Sequence, residues 1–425
     1  MAFCKRPTAR DELDTALPFS DDISVLSTPF TLEGRSVPNR ICYQPMEGCD
    51  GTVSGAPDEL TRRRYLRFAS GGAGLIWFEA TAIVKEGRAN PRQLYLDEGT
   101  LDGFQRLIWD TKSTCVKENG YEPVIICQLT HSGRWSKPEG ASKPLIAYNK
   151  PIFEKEPIGS DSIVDDAYLD GLTERYESSA RLCEKAGFDG VDVKACHGYL
   201  LSELLNAYQR EGRYGGSYEN RTRLLMDATS RVKSVCRKGF IISSRFNAYD
   251  GYAYPYGIGD SGVYGIPDFT EAARIASDLE KNGASLLNVT MGCPYTNNEV
   301  NRPTSFADQD MPYDSIHRMI KGAAAVSKAA PQSAVVLSGI SFLGALAPNV
   351  ASACILRGDC HFAGFGRQSF SYPELARDII RKGEMSRDKL CLTCGKCTEL
   401  MRSKSTPGCV VYDKLYLELY RQMKK

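Results

Sequence analysis

Short apolar runs recur along the chain, each followed by a longer stretch in which apolar residues return every three or four positions. Eight runs read as strands: Arg40 to Met46, Ala73 to Ile83, Pro123 to His131, Gly190 to Cys196, Phe240 to Asn247, Ser285 to Gly292, Ala334 to Gly339 and Cys360 to Arg367. The intervening segments read as helices, among them Thr173 to Ala186, Asn220 to Arg237, Asp268 to Asn282 and Asp314 to Ala329. Eight strand-helix pairs in one chain predict an α/β fold closed as a (β/α)8 TIM barrel.

Ala334 to Leu356 contains no charged residue and has the length of a membrane span. Ser338-Gly339 and Pro348-Asn349 interrupt it, so it reads as strand, turn and helix start. Glycine patterns give no dinucleotide fingerprint: Gly71-Gly72-Ala73-Gly74 precedes a strand, and Gly364-Phe365-Gly366 is too short. Three parts are expected: a leader over 1–28, the barrel over 29–385 and a C-terminal segment over 386–425. Residues 132–168, rich in Pro, Gly and Ser, form a long insertion after the third strand, where loops shape the mouth of a barrel.

Composition narrows the function. Among 425 residues, 53 Lys and Arg balance 52 Asp and Glu, leaving no basic excess for nucleic acid or an anionic membrane. Lys5, Arg6 and Arg10 interrupt the start before any apolar run, which argues against a signal peptide and for a cytoplasmic protein. The 15 cysteines are not spaced as a small disulfide framework, which fits a reducing compartment. Four of them, Cys391, Cys394, Cys397 and Cys409, crowd into the C-terminal segment, enough thiolates for a cubane iron-sulfur cluster or a tetrahedral zinc. Cys4, Cys42, Cys49, Cys115, Cys127, Cys183, Cys196, Cys236, Cys354 and Cys360 read as small packing residues.

Barrel strands converge on one site at their carboxyl ends. Those ends supply Pro45, Met46 and Glu47, then Thr81, then Gln128 with His131. They continue with Lys194, His197 and Tyr199, then Arg245, Gly292 with Cys293, Ser338-Gly339 and Gly366-Arg367. Each alone reads equally as packing, and their concentration at one end is what points to chemistry. Cys293-Pro294-Tyr295 reads as loop packing.

The stretch Val191 to Arg223 carries Gly198-Tyr199-Leu200 and then Tyr214-Gly215-Gly216-Ser217-Tyr218-Glu219-Asn220-Arg221. With Asn39-Arg40-Ile41, Glu79-Ala80-Thr81 and Gln128 to Arg134, it resembles the Old Yellow Enzyme group of flavin mononucleotide oxidoreductases. The cysteine-rich segment makes it similar to that group's iron-sulfur branch, which includes 2,4-dienoyl-CoA reductase and trimethylamine dehydrogenase, without their further nucleotide-binding domains.

The resemblance implies FMN held by Pro45, Met46, Thr81, Gln128, Arg245, Gly339, Gly366 and Arg367. Arg245 and Gln128 suit a flavin edge that turns anionic on reduction, and the glycines suit a phosphate approached by backbone N–H groups. Where the family usually has a second glycine after Gly339, this chain has Ile340. The resemblance also implies a 4Fe-4S cluster on Cys391, Cys394, Cys397 and Cys409, with NAD(P)H as a transient donor.

Tyr199 stands at the proton-donor position, and Lys194 and His197 at the positions that polarise a substrate carbonyl. Lysine departs there from the usual His-His or His-Asn pair and suits an anionic or enolate-forming group. The activity implied is reduction of an activated C=C bond in an unsaturated carbonyl compound. The partners implied are that small molecule, an electron-donor protein and further copies of the chain. Two alternatives stand beside it. One is an amine dehydrogenase exporting electrons through the cluster, with Tyr43, Trp77 and Trp135 as cation-binding aromatics. The other is a noncatalytic barrel stabilised by zinc.

Overall fold

The computed structural model describes residues 7–301, 313–403 and 406–425; Cys4 and the first six residues of the expected leader lie outside them. A short antiparallel hairpin, β1 (Phe30–Leu32) with β2 (Arg35–Val37), precedes the barrel. Eight strands follow: β3 (Ile41–Tyr43), β4 (Leu75–Ala82), β5 (Val124–Thr130) and β6 (Gly190–Val193), then β7 (Ile241–Tyr249), β8 (Leu286–Met291), β9 (Ala334–Leu337) and β10 (Phe362–Phe365). They close in the order β10-β3-β4-β5-β6-β7-β8-β9, and every pairing is parallel. The expected (β/α)8 barrel is therefore observed, and each sequence-predicted strand contains one of its staves except that β7 runs two residues past the predicted Asn247, to Tyr249.

Side-chain alternation explains the closure. Ile41, Ile76, Ile125, Val191, Ile242, Leu287, Val335 and Ala363 join the core between sheet and helices. Their neighbours Cys42, Leu75, Trp77, Ile126, Ile241, Leu286, Val336 and Phe362 form a second core inside the barrel, together with Leu32 and Val37 of the hairpin. The hairpin thus plugs the amino end of the barrel. Two positions further along the same inward rows the residues turn polar: Gln44, Gln128, Asn288 and Ser338. Packing fills one end of the barrel and leaves the other chemically addressable.

The helix Asp314–Ala329 has the bounds expected from its periodicity, and the uncharged stretch splits into β9, a turn at Gly339 (φ 79°) and the helix Ala347–Leu356. Among the described residues no helix is long and apolar enough to cross a membrane. The last barrel helix, Leu375–Lys382, ends at Gly383 in a left-handed conformation (φ 72°). Beyond it the C-terminal segment folds back over the helix Glu59–Ser70. Asp413 receives Arg63 at 2.9 Å and also Arg67, while Cys49 Sγ donates to the Met401 carbonyl at 3.4 Å. These ties bring the cysteine-rich segment to the carboxyl end of the barrel.

Candidate active site

A cavity of about 1170 Å³, counting its open mouth, lies at the carboxyl ends of the strands. Pro45, Met46, Gln128, Lys194, His197, Tyr199, Arg245, Gly339, Gly366 and Arg367 all line it, so ten of the eleven residues that the resemblance assigns to FMN or to catalysis border one cavity. Thr81 is the eleventh and lies elsewhere. The register of β4 shifts between Trp77 and Ala80, after which Ala80 pairs with Gln128 and Thr81 with Leu129. Leu129 belongs to the sheet-helix core, so the shift turns Thr81 away from the barrel axis. Its hydroxyl donates to the Glu79 carbonyl at 3.1 Å.

The cavity floor is a polar layer. Gln128 donates to Asp192 at 2.6 Å, Trp77 Nε1 donates to the same oxygen at 2.8 Å, and the Arg245 backbone N–H reaches the other at 2.6 Å. Burial pushes the Asp192 carboxyl up to about 6 despite these donors. Asn288 donates to Gln44 at 2.8 Å, and Gln44 to the Ser338 hydroxyl at 3.0 Å. Arg245 is buried and its Nε has no hydrogen-bond partner. A buried guanidinium with an orphaned donor beside an open cavity suits an electron-rich, partly anionic group. Elsewhere in the cavity lining, a Cβ added at Gly366 would sit 3.2 Å from Met46 Sδ and one at Gly339 3.0 Å from the Asn301 carbonyl. These are places where only backbone stands between the wall and a ligand. Buried donors and glycine backbone lining one cavity fit a flavin with its phosphate.

Above this floor sits a cluster of aromatic and charged groups. Tyr199 is buried and its hydroxyl donates to Glu47 Oε2 at 2.6 Å, with the Tyr295 hydroxyl 3.1 Å away. Burial first, and then the neighbouring Glu47 carboxylate, hold the Tyr199 phenol well above its ordinary range, so it is a protonated acid. Lys194 packs its Nζ 3.7 Å from the Tyr199 ring centroid, and burial lowers its pKa. His197 adopts a left-handed backbone (φ 64°), and its Nε2 lies 3.1 Å from the Thr290 hydroxyl. Tyr295, read from the sequence as loop packing, is a wall residue here; Cys293 is buried behind it, its Sγ donating to the His197 carbonyl at 3.2 Å. Tyr295 is fixed by stacking on Trp135 at 4.3 Å between centroids. No local pattern marks this pairing, because it joins the loop after β8 to the insertion after β5.

The remaining aromatics expected to bind a cation do not gather here. Trp77 is inside the barrel, and Tyr43 points outward, its hydroxyl donating to the Pro373 carbonyl at 2.5 Å. His131, a strand-end candidate, is buried away from the cavity between Tyr168 at 2.8 Å and the Gly133 N–H at 3.0 Å, and burial lowers its pKa to about 3.

Cys391, Cys394, Cys397 and Cys409 line a second cavity of about 320 Å³, shared with Arg367 and Phe370. Burial pushes the Cys409 thiol up to about 11, and nearby Cys391 and Cys397 add to that rise. The expected metal-ligand set is not closed: among the described residues no three His, Cys, Asp or Glu side chains are grouped as a single metal ion requires. Cys397, Arg367 and Phe370 belong to both cavities.

With this geometry in place, comparison with known proteins decides the family. The model of the NADH:flavin oxidoreductase / NADH oxidase family matches residues 25–324. The chain belongs to this family. It is a flavin-dependent oxidoreductase, and FMN is the family's cofactor. The flavin oxidoreductase is 30% identical over 275 residues to an NADPH dehydrogenase of Geobacillus sp. (strain WCH70), covering 63% of this chain and 73% of that protein. An NADPH dehydrogenase of Clostridium acetobutylicum is 28% identical over 285 residues, 65% of this chain and 81% of the relative.

Among solved structures, an old yellow enzyme homologue from Zymomonas mobilis superposes with a TM-score of 0.65 at 23% identity, covering 85% of this chain and 94% of that one. A 2-naphthoyl-CoA reductase gives a TM-score of 0.77 at 19% identity over 94% of this chain, which spans only 58% of that longer protein. At these identities the structural likeness shows the shared fold.

Proposed function

We propose that this flavin oxidoreductase reduces an activated C=C bond of an unsaturated carbonyl compound. The observation that carries the reading is the grouping of a buried, protonated Tyr199 with Lys194 and His197 on the cavity wall above Arg245 and Gln128. Gln128, Arg245, Gly339, Gly366 and Arg367, with Pro45 and Met46, would hold FMN. Bound and reduced, FMN supplies the hydride. The chain's own side chains do the rest. Lys194 and His197 donate to the carbonyl oxygen as negative charge develops on it, and Tyr199 delivers a proton to the α-carbon. The names of the curated relatives support NADPH as the external reductant.

The four cysteines around their own cavity support a 4Fe-4S cluster over a single zinc, because a cluster needs a volume with thiolates on its rim. Arg367, Phe370 and Cys397 would then separate cluster from flavin, a short path for single electrons from a donor protein. Amine oxidation is less well supported: Trp135 alone of the three candidate aromatics reaches the site, through Tyr295, and a buried lysine repels a cationic substrate. The test is anaerobic turnover with NADPH and a panel of unsaturated ketones, aldehydes, acids and thioesters. Formation of saturated product from one class supports the reading, and oxidation of amines with no alkene reduced overturns it.

A further inference from the structure

Tyr199 is 2% exposed, so a proton it gives away must be replaced from water it does not touch. Two groups contact its hydroxyl. Glu47 Oε2 accepts from it at 2.6 Å and from the Tyr295 hydroxyl at 3.3 Å, and the two phenol oxygens are 3.1 Å apart. The three form a closed triangle. Glu47 and Tyr295 are both partly buried and both line the cavity; of the two, Tyr295 carries the hydroxyl that can pass a proton on to Tyr199. Its ring is held from one side by the Trp135 stack, with the Arg402 guanidinium 5.4 Å from its centroid. Holding that ring costs side-chain entropy, and keeping a second phenol within hydrogen-bond reach of the first is a use that repays it.

We propose that Tyr295 is the proton-refilling residue for Tyr199, with Glu47 aligning the two hydroxyls. The inference rests on the reading of Tyr199 as the acid. In the step described, the substrate β-carbon receives hydride and its α-carbon receives the Tyr199 proton, leaving a phenolate beside the Lys194 ammonium. The Tyr295 O–H bond then breaks and a Tyr199 O–H bond forms. Tyr295 recovers its proton from water at the mouth, so each cycle consumes one hydride and one solvent proton. Glu47 Oε2 accepts from whichever phenol is protonated, while Lys194 and Arg402 lie beside the rings of Tyr199 and Tyr295 that carry the transient negative charge.

The refilling step comes after the first turnover, which gives the proposal a distinctive test. Wild-type protein, Tyr295→Phe and Tyr199→Phe are loaded with FMN, reduced anaerobically and mixed with an alkene that wild type reduces. Flavin reoxidation is followed for one turnover and then at steady state. For Tyr295→Phe the single turnover stays within about twofold of wild type, while steady-state kcat falls by about tenfold or more and is partly restored by an added small acid such as imidazolium. Equal slowing of both phases means a structural role and overturns the proposal; so does an unchanged steady state. Trp135→Leu, which loosens Tyr295 but keeps both phenols, gives a smaller loss confined to steady state, and serves if Tyr295→Phe fails to hold flavin. If wild type reduces no alkene, or Tyr199→Phe reacts normally, the underlying assignment of Tyr199 fails instead.

Discussion

Lys194 Nζ lies 3.7 Å from the centroid of the Tyr199 ring, so the cation proposed to polarise the substrate carbonyl also packs against the proposed acid. Burial lowers the lysine pKa below its ordinary 10.5, and the Cys196 thiol and Glu47 carboxylate only partly offset that. Replacing Lys194 by Met removes one donor to a developing oxyanion, and alkene reduction is expected to fall by about 10²–10³-fold with FMN still bound. The wild-type rate should decline on the alkaline side as pH rises through the lowered lysine pKa, because only the ammonium donates. That limb disappears in Lys194→Met. Stability moves the other way: the unfolded lysine holds its proton to higher pH, so wild-type stability rises across the same window. Rate profiles and denaturant midpoints against pH check both signs.

A second cluster links the barrel to the C-terminal segment. Arg64 donates to Asp50 at 2.7 and 2.8 Å and to Glu79 at 2.6 Å, all three being buried, and Thr406 of the C-terminal segment bonds to Asp50. Removing the cation leaves two buried carboxylates uncompensated, so Arg64→Met is expected to cost about 3–5 kcal/mol in chemical denaturation.

Glu79 gives this cluster a pH signature. Burial pushes its carboxyl up to about 7 from an ordinary 4.5, so the folded state holds a proton that the unfolded state has released. The protonated form favours folding below about pH 4.5, and that contribution is lost as pH rises to about 7. Stability curves of wild type and Glu79→Gln between those limits should converge at the acid end and separate toward neutrality, with the variant the more stable. Parallel curves would show that another group sets the slope.

Cys391, Cys394, Cys397 and Cys409 share one cavity, and Cys397 also borders the main one. Cys394→Ser is expected to lower iron and acid-labile sulfide together while leaving FMN in place, and to slow reduction by a one-electron donor more than reduction by NADPH. Retention of one zinc per chain in the wild type, with no sulfide, would replace the cluster by a structural metal.

Much of this was legible in the sequence because it depends on period and position. The strands alternate about the barrel wall, and a strand end is a site position in any barrel of this kind, which is why Gln128, Lys194 and Arg245 could be named in advance. Thr81 could not be placed, because the shift in β4 after Trp77 inverts its facing and leaves no mark in the residue pattern. Glu47 was visible at a strand end, but its bond to Tyr199 spans 152 positions in sequence. Tyr295 escaped because its place depends on Trp135 in a separate loop, a contact that no local period encodes.

The central claim is that reduced flavin in this cavity hands hydride to an alkene while Tyr199 supplies the proton. The direct measurement is an anaerobic stopped-flow experiment in which FMN-loaded protein, reduced by one equivalent of NADPH, is mixed with an unsaturated carbonyl compound. Return of the oxidised flavin absorbance with one equivalent of saturated product, lost in Tyr199→Phe, is the expected result. Flavin that stays reduced before every alkene, yet is formed rapidly from the oxidised protein by an amine, would contradict the account.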